Sequence, residues 1–114
     1  MSKTNAAFMS GVPELLLLSL LAREEMYGYQ LVRAIRVVSN EAFKLAEGVV
    51  YPVLHALEEK QLIKAKQRLH EGRTRIYYAL TAKGKTRLKE LTTTWERVSG
   101  GVAATLNAAE VAHV

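Results

Sequence analysis

The 114-residue chain contains no cysteine. Disulfide scaffolds, thiolate metal sites and cysteine nucleophiles are thereby excluded. Aspartate is missing as well: all 11 acidic residues are glutamate, so no site that needs aspartate can be built. Proline occurs twice and tryptophan once. A long apolar run is also lacking. The most apolar stretch, Leu15 to Ala22, is LLLLSLLA, eight residues long, whereas a bilayer span needs roughly 20. Pro13 and Glu14 precede it where a signal peptide carries bases, and Arg23, Glu24 and Glu25 follow where small cleavage-site residues belong. The stretch reads as a buried helix, and the expectation is a cytoplasmic protein with no membrane partner.

What is present is ordinary globular material, 49% hydrophobic and 24% charged, enough for one domain with one modest core. Sixteen bases against 11 acids give +5, and the isoelectric point is about 9.6. The excess is segregated. Residues 60–89 hold ten bases and the single acid Glu71, a net +9, while the other 84 residues hold six bases and ten acids, a net −4. A short basic run is often no more than a solvated face; separation on this scale favours contact with phosphate.

Residues 1–10 read as a flexible arm. Pro13 fits the first helical turn, where a missing N–H costs nothing, and Glu14 suits the positive end of the helix dipole; a helix is predicted over 12–23. Residues 24–28 form a turn. A second helix follows over 28–38, with Leu31, Ile35 and Val38 as its buried stripe. Residues 39–46 are a linker in which Phe43 and Leu45 turn inward. A third helix over 47–60 buries Val50, Leu54 and Leu57. Pro52 removes a donor and crowds the residue four back, but that residue is Gly48, so one kinked helix is expected.

From Leu62 the period changes to two. Ile63, Ala65, Gln67 and Leu69 alternate with Lys64, Lys66 and Arg68, giving a strand with one cationic face. Glu71-Gly72-Arg73 supplies a turn, and a return strand over 75–80 carries Ile76, Tyr78 and Leu80 on one side and Arg75 and Tyr77 on the other. Thr81 is a natural N-cap for a last helix reaching about residue 108. There, Leu88, Leu91, Trp95, Val98, Val102 and Ala109 occupy a and d positions of one heptad frame, with Thr105 in the remaining d. A helix of about 27 residues is roughly 40 Å long, more than three short helices can cover. Its outer half must bury its stripe elsewhere, and a second copy of the chain is the simplest partner. Gly100 and Gly101 mark an expected kink or fraying point.

Enzyme readings find no support. His55, His70 and His113 share no metal-ligand spacing, there is no phosphate loop or nucleophile motif, and Glu58 and Glu59 diverge by about 100° on a helix. Neither cofactor nor metal is expected; Glu110 with His113 supplies too few ligands. Three helices, a basic hairpin and a long helix form the order of a winged helix-turn-helix, a mainly α, α+β fold, with a long C-terminal dimerisation helix attached. The division expected is a winged-helix domain over 11–81 and a dimerisation helix over 82–114. In such a fold the third helix enters the major groove and the hairpin wing follows the backbone.

Several stretches, in order and at the right spacing, resemble the PadR-type bacterial transcriptional regulators. They are Leu15 to Leu18 with Leu20-Leu21, Tyr27-Gly28-Tyr29-Gln30-Leu31, Glu47-Gly48-Val49-Val50-Tyr51-Pro52-Val53-Leu54, Leu57-Glu58 and Tyr77-Tyr78-Ala79-Leu80-Thr81-Ala82-Lys83-Gly84. The short C-terminal part looks like the compact subfamily, in which one long helix builds the dimer. The resemblance implies a homodimer on a palindromic promoter operator in double-stranded DNA, usually as a repressor, released in some members by a small aromatic or phenolic effector.

On this resemblance Tyr51 points toward the DNA backbone; packing beneath the helix is the equal alternative. Gly48 permits close approach. Val49 stands where a hydroxyl residue is common, leaving a thymine methyl contact as its substitute. His55 is one turn further on the exposed side. Gln61 stands where the family commonly has glycine, so a left-handed cap there would be strained. Arg73 and Arg75 are the leading wing candidates, followed by Lys64, Lys66 and Arg68. Tyr27 and Tyr29 are expected to pack. The dimer interface is expected to comprise Leu88, Leu91, Trp95, Val98, Val102 and Leu106. Trp95, with Val98, matches the place where some relatives stack flat aromatic drugs, and Gly100, Gly101, Ala103 and Ala104 leave room there. The rival reading is a protein-interaction adaptor that keeps the winged-helix shape without specific DNA binding.

Overall fold

A computed structural model describes residues 11–111; the arm expected over 1–10 and His113 lie outside them. Seven elements follow in order: α1 (Val12–Leu21), β1 (Met26–Tyr27), α2 (Gly28–Val38), α3 (Glu47–Glu59), β2 (Ile63–His70), β3 (Arg73–Leu80) and α4 (Ala82–Leu106). The three strands form one antiparallel sheet in the order β1-β3-β2. This is the winged-helix arrangement, with the β2–β3 hairpin as the wing.

The leucines of α1 place it at the centre: Leu17, Leu18, Leu20 and Leu21 are buried, and no residue of the helix is exposed. Leu31 and Ile35 of α2, Val50, Leu54 and Leu57 of α3, and Ile63 and Tyr78 of the sheet close around it. Phe43 and Leu45 pack against this cluster from the linker. The expected stripe of α2 is shorter by one residue, because Val38 is exposed at the helix end. Tyr29, expected to pack, is exposed as well.

Two helix ends use left-handed residues other than glycine. After α3, Gln61 has φ 62°, and the amides of Gln61 and Leu62 donate to the carbonyls of Glu58 and Leu57, both at 2.9 Å. This reciprocal pair is a Schellman cap, and it turns the chain sharply from α3 into the wing. After α2, Asn40 does the same at φ 54°, with Glu41 N donating to Arg36 O at 2.9 Å.

The chain departs from the sequence reading at three elements, one being β3, which begins at Arg73, a residue expected in the turn. β1, expected as part of a turn, is a two-residue strand pairing Met26 with Tyr78 and Tyr27 with Tyr77. Two residues carry no period, so only tertiary pairing reveals the strand. α4 passes through Gly100 and Gly101 without interruption and ends at Leu106. α3, as expected, is a single helix across Pro52.

Thr81 caps α4 as expected: its Oγ1 accepts from Gly84 N at 3.0 Å and lies within donating distance of the carbonyls of Gln61 and Leu62. The α4 start is thereby tied to the end of α3. Gly84 is obligatory there, since a Cβ would strike the Leu62 carbonyl oxygen. One turn on, Arg87 Nε donates to Glu14 Oε2 at 3.2 Å, binding α4 to the first turn of α1.

Candidate nucleic-acid interface

Helix α3 buries Val50, Leu54 and Leu57; Gly48, Val49, Pro52, His55 and Ala56 are left exposed on the other side. The exposed residues recur at three- and four-residue spacing, so they form one continuous face. Of the residues expected to read DNA, Gly48, Val49 and His55 lie on it. Pro52 is a further member that the sequence does not announce, because a proline inside a helical period reads first as a breaker.

Tyr51 is placed differently. It is half-buried and packs against the core from α3. Its ring rests on Gly28, the first residue of α2, so closely that a Cβ at that glycine would collide with it. Burial, helped by the nearby Glu47 carboxylate, raises the Tyr51 pKa above its ordinary value. Tyr51 therefore packs beneath the helix, and the Tyr51–Gly28 contact sets how α3 lies on α2.

The wing register pairs Lys64 with Ala79, Lys66 with Tyr77, Arg68 with Arg75 and His70 with Arg73. Residues directly opposed on antiparallel strands share a face. Lys64, Lys66, Arg68, His70, Arg73 and Arg75 therefore stand together on the outer side of the sheet, opposite the core-facing Ile63 and Tyr78. Beyond the core the inner side is open too: Leu69 and Ile76 are exposed, because the hairpin tip outreaches the helices.

Two of the three arginines on this face lie over tyrosine rings. The Arg68 guanidinium lies 4.4 Å from the centre of the Tyr77 ring, and that of Arg75 lies 4.4 Å from the Tyr27 ring. The two tyrosines meet edge to face at 5.3 Å. Stacking leaves a guanidinium's N–H edge free for an oxyanion. Arg75 Nε is itself buried and has no hydrogen-bond partner among the described residues, so only its terminal nitrogens can reach outward. Lys66 and Arg68 differ, for both are engaged by Glu25, at 2.5 Å and 3.0 Å. Sequence reasoning misses Glu25, since an acid more than forty residues from its partner gives no spacing signal.

Helix α4 carries the second feature. Leu88 and Leu91, expected on the dimer stripe, are partly buried and pack against the chain's own core. Trp95, Val98, Val102 and Leu106 are exposed, Trp95 at 52% and Leu106 at 79%. Val98, Gly101, Val102, Thr105 and Leu106, with Arg97, line a shallow groove on that outer half. Among the described residues no helix is long and apolar enough to cross a membrane.

A winged helix with an exposed α3 face and a cationic wing defines the class of DNA-binding transcription regulators. The comparisons with known proteins narrow this class. Residues 17–90 match the model of the "Transcriptional regulator PadR-like family", and the chain belongs to that family. Among solved structures it is similar to a PadR-like transcriptional regulator from Bacillus cereus, with a TM-score of 0.80 and 30% identity over 90% of this chain and 98% of that one. It is also similar to a PadR family transcription regulator from Clostridium difficile, with a TM-score of 0.76 and 30% identity over 85% of this chain and all of that one. The transcriptional regulator YqjI of Escherichia coli is 34% identical over 73% of this chain, a region that spans 39% of YqjI. The protein is a PadR-family transcriptional regulator, not an enzyme.

Proposed function

We propose that the chain acts as a homodimeric repressor on a palindromic operator, with α3 reading bases and the wing holding phosphate. The observation that carries this reading is the pairing of two unsatisfied surfaces, the cationic outer wing face and the apolar outer half of α4. A second copy laid along Trp95, Val98, Val102 and Leu106 would cover the latter and present two α3 helices at once. Two reading heads related by a twofold axis match a palindrome.

On α3, Gly48, Val49 and His55 face the groove. Val49 supplies an apolar contact for a thymine methyl, and Gly48 lets the helix start come close. Arg73 and Arg75 hold the backbone from the wing, with Lys64 beside them. An aromatic effector is assigned to the α4 interface, where Trp95 offers a stacking face and Val98 an apolar wall. Such a ligand relieves repression by favouring one spacing of the two heads over another.

Replacing Arg73 and Arg75 together by alanine tests the wing assignment. Binding to duplex DNA should weaken for every sequence. The slope of log affinity against log salt should flatten by about two, near 0.9 for each phosphate no longer neutralised. Unchanged affinity and slope would refute the assignment and favour the adaptor reading.

A further inference from the structure

Glu25 immediately precedes the edge strand β1, and its carboxylate reaches across β3 to two cations of β2. Oε2 meets Lys66 Nζ at 2.5 Å and Oε1 meets Arg68 Nη1 at 3.0 Å. Beneath this bridge lies Tyr77, only 5% exposed although it sits on the outer face of the sheet. One carboxylate held by an ammonium and a guanidinium presents them with what a phosphodiester would present: two anionic oxygens at hydrogen-bonding distance. The other cations of this face, Lys64, Arg73 and Arg75, have no such partner among the described residues.

We propose that Glu25 is an intramolecular stand-in for a DNA phosphate, which Lys66 and Arg68 must release before they can grip the backbone. The inference rests on the reading of the wing as a phosphate-contacting surface and adds a regulatory element to it. Engagement is graded along the hairpin. Arg73, Arg75 and Lys64 meet DNA without prior loss, whereas Lys66 and Arg68 exchange one oxyanion for another. Exposed ion pairs are weak enough for a polyanion to displace, yet each exchange subtracts from the gain. Glu25 therefore lowers the affinity of the wing for DNA of any sequence and reduces the counterion release that accompanies binding.

Fluorescence anisotropy with a labelled random-sequence duplex, at salt concentrations from about 50 to 200 mM, tests this on the full chain. Glu25→Gln should tighten binding by about three- to tenfold, the worth of one or two exposed pairs, and steepen the log–log salt slope by about one to two. Glu24→Gln is the control, because Glu24 is exposed, adjacent and unpaired among the described residues. It adds the same charge without freeing a cation and should give a smaller gain and no change of slope.

Adding Lys66→Ala and Arg68→Ala to Glu25→Gln should abolish the gain. The proposal is overturned if Glu25→Gln leaves affinity and slope unchanged, weakens binding, or behaves as Glu24→Gln does. If Arg73→Ala with Arg75→Ala still weakens binding, the wing assignment survives that failure. If the wild-type chain shows no salt-dependent binding at all, both fall together.

Discussion

Leu88 and Leu91 in the inner half of α4 share one heptad stripe with Trp95, Val98 and Val102 in the outer half, but the two halves meet different surroundings. The inner half packs on the core, is capped by Thr81 and is tied to α1 through Arg87 and Glu14. The outer half extends past the body and leaves its apolar row exposed. A hydrophobic period identifies which face of a helix wants cover. It does not say what covers it, because that depends on how far the rest of the chain reaches. Here the body covers only the first turns of a helix of 25 residues.

Charging the outer half is the strongest way to break the comparison. Val98→Glu combined with Val102→Glu should leave the far-ultraviolet circular dichroism and the fold intact while raising the dimer dissociation constant at least about a hundredfold. Each buried, unpaired carboxylate costs several kcal/mol. Sedimentation at graded concentrations reads the effect. A dimer of undiminished strength would mean that the stripe is covered by something other than a second copy.

The inner half should respond in the opposite sense. Leu88→Ala removes a partly buried side chain from the core, and thermal unfolding should show a loss of about 1–2 kcal/mol, or a fall in Tm of roughly 4–8 °C per kcal/mol. Self-association at temperatures where the variant is folded should change little. Equal effects of Leu88→Ala and the outer-half variant on dimer strength would erase the distinction between the halves.

The smallest effect sharpens the junction beneath the inner half. Gln61 holds φ at 62°, and its carbonyl lies 2.8 Å from Thr81 Oγ1, the N-cap of α4. Gln61→Gly relieves the left-handed strain at the cost of a more flexible unfolded chain, so a net gain of about 0.5–1 kcal/mol is expected by denaturant titration. A loss would mean that the glutamine side chain supports the cap.

Much of the fold is legible in the residues themselves. The leucines of α1, the stripe of α3, the alternation of β2 and the cap at Thr81 are local patterns, and each element appears where its pattern predicts. The strain at Gln61 is legible only through the family resemblance, which puts glycine at this position, where φ is 62°. What the pattern leaves out is tertiary. β1 exists only because β3 lies beside it, Tyr51 turns inward because Gly28 leaves a seat for its ring, and Glu25 acquires meaning only when the sheet brings Lys66 and Arg68 to it. The cationic wing face is visible as charge in the residue order; which of its cations are already occupied is not.

The central claim, that two copies joined through the outer half of α4 bring two α3 heads to one operator, is tested most directly by the mass of the DNA complex. A duplex recovered by selection from genomic fragments, titrated with the full chain and weighed by sedimentation or native mass spectrometry, should carry two chains per site. The Val98→Glu, Val102→Glu variant should lose that complex under the same conditions. One chain per site, or a complex indifferent to those two substitutions, would contradict the account.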